Sequence, residues 1–250
     1  MDYFYMIVLF ILGITFGSFF NVVGIRLPKK IPFHKDRSYC PTCNKQLSYY
    51  ELIPVLSYII QAGKCRKCHA TISFIYPFTE LLTGLLFAYA YHHFGLQWEL
   101  IVALIFISLL MIVFVSDMYY MLIPNKVLLF FLPLVILARV FVRLDPWYDA
   151  LIGGIIGYVL IAIIILASKG GMGAGDMKLF GVIGIVLGWK LTFLTFFLAA
   201  FFGALIGGGL MLMKRVKRGE AIPFGPFIVL AALISYFHGE KLIGLYIALL

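Results

Sequence analysis

The sequence predicts an all-α polytopic membrane protein, with about eight transmembrane helices and a small zinc-stapled cytosolic insertion after the first of them. Three observations predict it. Of the 250 residues, 63% belong to the AVILMFWYC set and 12% are Asp, Glu, Lys or Arg, whereas a soluble domain carries roughly 45–50% apolar and about 25% charged residues. Apolar runs close to the roughly 20 residues needed to cross a bilayer recur along the chain. One polar stretch near the N-terminal end interrupts them, and all four cysteines lie in it. A water-soluble globule, a secreted or disordered chain and a coiled coil are thereby excluded. The net charge of +9 does not point to nucleic acid, because the basic residues sit in patches between apolar segments, the pattern that encodes membrane topology.

The first span is expected at 4–25. The run from Met1 to Asn21 has no basic leading region, carries Asp2 and lacks a small-x-small cleavage pattern, so it reads as a retained helix. Further apolar segments fall at 71–92, 98–116, 126–143, 147–167, 177–189, 191–213 and 222–237. Segment 177–189 is short for a crossing and is separated from the next by Lys190, so a tilted, half-inserted or broken-helix arrangement is open to it, while the alternation of basic loops supports counting it as a crossing. The expected organisation is a first helix (1–26), a four-cysteine zinc-binding insertion (27–70) and a transmembrane core (71–250).

Orientation follows from Lys and Arg. One side carries nine such residues from Arg26 to Lys67, then Lys126, Lys169, Lys178, Lys214, Arg215, Lys217 and Arg218; the other carries Arg139, Arg143, Lys190 and Lys241. The positive-inside rule places the N-terminus outside and the insertion in the cytosol. Gly153-x-x-x-Gly157 and Gly203-x-x-x-Gly207 are small-residue pairs suited to close helix packing, expected within the chain.

Cys40-Pro41-Thr42-Cys43 and Cys65-Arg66-Lys67-Cys68 are two C-x-x-C pairs, the spacing that presents paired thiolates to a tetrahedral Zn²⁺. Two disulfides are the alternative, but they need an oxidising compartment, and the charge pattern puts this loop in the reducing cytosol. A closed four-sulfur site has no open position for water, so the metal would hold the loop together, as polar segments this small require. His69 adjoins Cys68 and is expected to be a bystander.

Asp117 ends the third apolar segment, and Asp176 follows Gly173-Ala174-Gly175 immediately before another; both are expected at the cytosolic membrane edge. Carboxylates at membrane depth are costly and tend to be functional. Asp176 also reads as an ordinary N-cap, and Asp117 as a solvated helix end. Taken together, two lone aspartates on one face, one beside a glycine-rich loop that admits close backbone approach, are the parts of an aspartyl hydrolase. There two carboxyl groups share a proton, the ionised one activating water and the protonated one polarising the scissile carbonyl. Gly173, Gly175 and Lys178 are expected to support the site. Glu80 reads equally as a hydrogen-bonded structural residue or as part of it.

The ordered set of motifs resembles the bacterial prepilin peptidases, or type IV leader peptidases, a family of membrane aspartyl proteases. The resemblance is carried by Gly17-Ser18-Phe19-Phe20-Asn21, Arg26-Leu27-Pro28, the two C-x-x-C pairs, Glu51-Leu52-Ile53-Pro54, Tyr76-Pro77-x-x-Glu80, Asp117 with Ile123-Pro124-Asn125, and Gly173-x-Gly175-Asp176-x-Lys178. It implies that Asp117 and Asp176 are the catalytic pair and that the substrates are prepilins or pseudopilins of pilus, secretion or competence systems. Their basic leader would be cut after Gly and before Phe at the inner edge of the bacterial cytoplasmic membrane. It further implies methylation of the new N-terminus with S-adenosylmethionine, for which no glycine fingerprint of a dinucleotide type is found. Two alternatives are a carboxylate-based ion or proton transporter and another G-x-G-D intramembrane protease. The first would place acidic groups near mid-bilayer, and the cysteine loop argues against the second.

Overall fold

A computed structural model of the chain describes residues 2–31, 38–168, 171–213, 215 and 222–249. Lys35, Arg37, Lys169, Lys214, Lys217 and Arg218, which contribute to the charge count above, lie outside the described residues. Among the described residues there are helices and two isolated β-bridges but no strand: α1 (Asp2–Arg26), a 3₁₀ turn (Tyr49–Leu52), α2 (Leu56–Ile60), α3 (Ile75–Phe94), α4 (Trp98–Tyr120), α5 (Asn125–Phe141), α6 (Asp149–Ala167), α7 (Ala174–Leu212) and α8 (Gly225–Ala248). Five of them, α1, α4, α6, α7 and α8, are long and apolar enough to cross a membrane, which makes this a multi-pass membrane protein.

The chain forms two compact units, Met1–Val115 and Ser116–Leu250. In the first, α1 packs on α3 through glycines that leave no room for a side chain. A Cβ on Gly13 would meet Gly84 Cα at 2.7 Å, and one on Gly17 would meet Glu80 Cα at 2.8 Å. Small residues let helix backbones approach where lipid offers no hydrophobic drive for association. Toward the C-terminal end of α1 Asn21 is buried. It accepts the Thr79 hydroxyl at 2.7 Å and donates to the Tyr76 carbonyl at 3.2 Å.

In the second unit α6 packs on α7, and α7 is not one rod. Gly188 has φ 76° and ψ 172°, a conformation open to glycine, and it divides α7 into limbs 174–187 and 189–212. The limbs fold back on one another: the rings of Phe180 and Phe196 lie 6.2 Å apart, although sixteen residues of straight helix would span about 24 Å. A Cβ on Gly157 would collide with the Phe180 carbonyl of one limb and meet Thr192 of the other; one on Gly153 would collide with Gly184 and Gly188. The Gly153/Gly157 pair thus packs within the chain as expected, and segment 177–189 forms a limb of its own, set off from the next by a reversal at Gly188 rather than running on into it.

Breaking a helix in an apolar setting leaves its end groups without partners. Two side chains supply them here. Arg139, at the end of α5, donates to the Val186 carbonyl through Nε at 3.0 Å and a terminal nitrogen at 2.7 Å, closing the first limb. Asp149, in the first turn of α6, accepts from the Trp189 N–H at 3.4 Å at the start of the second. Arg139, counted by its charge among the basic residues on the side opposite the insertion, is buried because its guanidinium serves this turn.

Candidate active site

Asp117 sits in the last turn of α4. That helix ends because Met121 takes a left-handed φ of 50°, while the Ser116 hydroxyl donates to the Leu122 carbonyl at 2.6 Å and folds the chain back. The Asp117 carboxylate accepts the Gly225 N–H at 2.7 Å on Oδ2. Gly225 is glycine for reasons of space: a Cβ there would lie 2.6 Å from Asp117 Oδ2 and 2.8 Å from its Cγ. Pro226 then occupies the opening turn of α8, where its missing N–H costs nothing.

Asp176 is in the first turn of α7. Its Oδ2 accepts the N–H of Gly173, the residue that caps the helix, at 3.0 Å. Asp176 is therefore not the N-cap that the sequence offered as its ordinary reading: Gly173 holds that position, and Asp176 reaches back to it from the first turn. Gly175 faces Ile123, whose Cβ would be 3.0 Å from an added methyl, so this glycine lets the start of α7 approach the link between α4 and α5. Lys178 donates to Asn125 Oδ1 at 2.9 Å, tying the start of α7 to the start of α5.

The two carboxylates are built alike. Each is almost completely buried, at 5% and 8% exposure for Asp117 and Asp176, and each has one oxygen held by a glycine backbone N–H. Among the described residues no hydrogen bond goes to the second oxygen of either. Gly175, beside Asp176, lies against Ile123, six residues past Asp117, so the start of α7 that carries one carboxylate packs on the link that follows the other. Paired carboxyl groups in an apolar setting cannot both ionise freely and share a proton, which suits them to acid and base roles together.

The structure brings Asp117, Asp176, Gly173, Gly175 and Lys178 into one unit. Glu80 lies in the other unit. Its carboxylate accepts the Val55 N–H at 2.8 Å and bonds the Ser18 side chain, so it pins the insertion to α1 and α3. Val55 has a left-handed φ of 62°, and this bond helps to hold it there. Gly225, Arg139 and Asp149 were not singled out from sequence; for Gly225 a signal existed, a glycine between two prolines just ahead of an apolar run.

In the insertion the four cysteine sulfurs lie within 4.8 Å of one another, with Cys40 to Cys68 at 3.7 Å and Cys43 to Cys65 at 4.0 Å. A tetrahedron of sulfurs about 2.3 Å from a central ion has edges of about 3.8 Å, whereas a disulfide would need about 2.05 Å. The donor set therefore fits a metal. The two knuckles share one backbone plan: Cys40 and Cys65 donate to the carbonyls of Lys45 and Ala70, and Asn44 and His69 donate back to Cys40 and Cys65 from left-handed conformations. His69 serves as that turn residue and is not in the ligand cluster. The N–H groups of Cys43 and Thr42 draw the Cys40 thiol down to about 6, and those of Cys68 and Lys67 lower Cys65, which favours the thiolates a metal needs. Cys68, lowered by the Ala70 N–H, is pushed up to about 11 by burial and by its neighbouring thiols. Beside the knuckles Glu51 accepts from Lys45 at 2.8 Å and from the Ser48 N–H and hydroxyl at 2.9 Å each, and is held down at about 2 by these bonds.

A multi-pass helical chain that sets two buried carboxylates against backbone amides has the construction of a membrane-embedded aspartyl enzyme. Comparison with known proteins makes the class specific. Residues 11–94 match the bacterial peptidase A24 N-terminal domain, and residues 104–208 match the type IV leader peptidase family. The chain is 44% identical to the prepilin leader peptidase/N-methyltransferase of Bacillus subtilis (strain 168), over 96% of this chain and 97% of that protein. It is 32% identical to the protein of the same name from Pseudomonas aeruginosa, over 95% and 91%, and 30% identical to that of Legionella pneumophila, over 98% and 95%. No solved structure matches. The chain belongs to the type IV leader peptidase family.

Proposed function

We propose that this protein cleaves the basic leader of prepilins or pseudopilins after Gly and before Phe at the cytosolic edge of the bacterial cytoplasmic membrane, with Asp117 and Asp176 as the catalytic pair, and then methylates the exposed amine. The observation that carries the peptidase reading is the matched anchoring of the two carboxylates, each by a glycine N–H on one oxygen. That anchoring fixes both groups without a side-chain cation and leaves the second oxygen of each for water and substrate.

In the step this geometry supports, the ionised carboxylate takes a proton from a water whose oxygen attacks the scissile glycine carbonyl carbon. The protonated carboxyl gives its proton to the carbonyl oxygen as the tetrahedral diol forms. Collapse of the diol returns a proton to the leaving nitrogen, the C–N bond breaks, and the pair again shares one proton. Which aspartate starts as acid is a property of the pair. Methyl transfer from S-adenosylmethionine is supported by the relatives' names and by the family resemblance, and no residue is assigned to it. Zn²⁺ is the ion the four cysteines suit; held by four sulfurs it would brace the insertion and take no part in hydrolysis.

The test is to incubate the purified protein in detergent with a model prepilin, with and without S-adenosylmethionine, and read the product N-terminus by mass spectrometry. A new N-terminal Phe, gaining one methyl group only when the donor is present, is the expected result. An uncut substrate contradicts the peptidase reading, and a cut but unmethylated product contradicts the second activity.

A further inference from the structure

The insertion carries an apolar surface that the catalytic reading does not use. Leu56, Ile59 and Ile60 follow the spacing of one helix face, and they are 57%, 65% and 71% exposed; α2 has no buried residue at all. Tyr49 and Tyr50, in the 3₁₀ turn that packs beside α2, are exposed as well. Isoleucines bared in a polar, metal-stapled loop mark an interaction surface.

The hydrogen bond between Glu80 and the Val55 N–H fixes where this surface lies. Glu80 is five residues into α3, about 7 Å along its axis at 1.5 Å per residue, and helical side chains lean back toward the N-terminus. Val55, and with it the start of α2, is therefore level with the first turns of α3. At that level α3, packed along the membrane-crossing candidate α1, already shows an apolar stripe on its free side, with Phe78, Leu81 and Leu85 exposed at helical spacing just past Phe74 at its cap, which is the side such a pair turns to lipid. The exposed face of α2 thus begins at the depth where the bilayer begins. Lys64, Arg66 and Lys67, exposed on the knuckle that follows, supply charge for anionic headgroups, and tyrosines favour that boundary.

We propose that α2 and the turn before it rest on the bilayer surface, with Leu56, Ile59 and Ile60 in the headgroup–acyl boundary, so that the insertion is a membrane-seated foot. The occupant of this face is the lipid of the surface where α1 ends and α3 begins.

The experiment places a photoreactive benzoylphenylalanine at Ile59, and separately at Ile60, in the full-length, metal-loaded protein reconstituted in phosphatidylethanolamine–phosphatidylglycerol vesicles, with Leu85 as the lipid-facing reference. Lipid adducts at both positions of the same order as at Leu85, falling when phosphatidylcholine replaces the anionic lipid, are expected. Adducts to a second copy of the chain, or to an added model prepilin in place of lipid, would overturn the proposal. So would the absence of any adduct at both positions while Leu85 labels.

Discussion

The cysteine insertion and the aspartate pair each gather polar groups in a chain that is otherwise apolar, but they do so with different materials. The insertion uses side chains of one kind, brought together by two copies of a short local turn, and its geometry is complete within about thirty residues. The aspartate site draws on residues from 117 to 225, and the contacts that shape it are mostly backbone: two glycine N–H groups and one close glycine approach. A site made of local side chains tolerates change around it. One held by backbone against carboxylate has no slack, because a single methyl group occupies the space of the hydrogen bond.

Gly225→Ala would break that comparison most strongly. Its methyl would overlap the Asp117 carboxylate, and a displacement of about 1 Å in a reacting group can cost about a hundredfold in rate. Cleavage kinetics should show that loss while bound metal, measured by elemental analysis, stays at the wild-type level. Removing the metal with a chelator should do the reverse: the insertion becomes sensitive to protease, while cleavage by the surviving intact chain falls by less than in Gly225→Ala. Equal loss of cleavage in the two experiments would mean the insertion takes part in the chemistry.

Arg139→Ala sharpens the same point at the far end of the α7 limb that carries Asp176. It leaves the buried Val186 carbonyl unpaired, which costs about 1–3 kcal/mol, and should lower the thermal unfolding midpoint in detergent, with Arg139→Lys intermediate. The smallest effect is expected at Glu51. Its carboxylate is held at about 2, below its ordinary 4.5, so its contribution is full above 4.5 and is lost as the pH falls toward 2. The difference in protease resistance of the insertion between wild type and Glu51→Gln should therefore close over that range.

What the sequence revealed follows the same division. The C-x-x-C pairs were legible because metal ligands repeat at fixed short spacing, and Asp117 and Asp176 because a charge in an apolar run stands out. Gly225 was not, since its role is to lack a side chain next to a carboxylate more than a hundred residues away. Arg139 was legible only as a charge in the loop count, because hydropathy counting does not see a guanidinium spent on a broken helix end. The reversal at Gly188 was half legible: Lys190 and the short segment announced a break, and only the approach of Phe180 to Phe196 shows that the chain turns back. Glu80 was balanced between two readings, and its bonds to Val55 and Ser18 give it a structural task.

The central claim is that the two aspartates, and not the metal, carry out hydrolysis. It is tested most directly by single-turnover cleavage of a model prepilin with Asp117→Asn and Asp176→Asn, each preparation being assayed for bound metal. Each variant is expected to lose cleavage by about a hundred- to ten-thousandfold or more, with metal content unchanged. Wild-type cleavage by either variant would contradict the account.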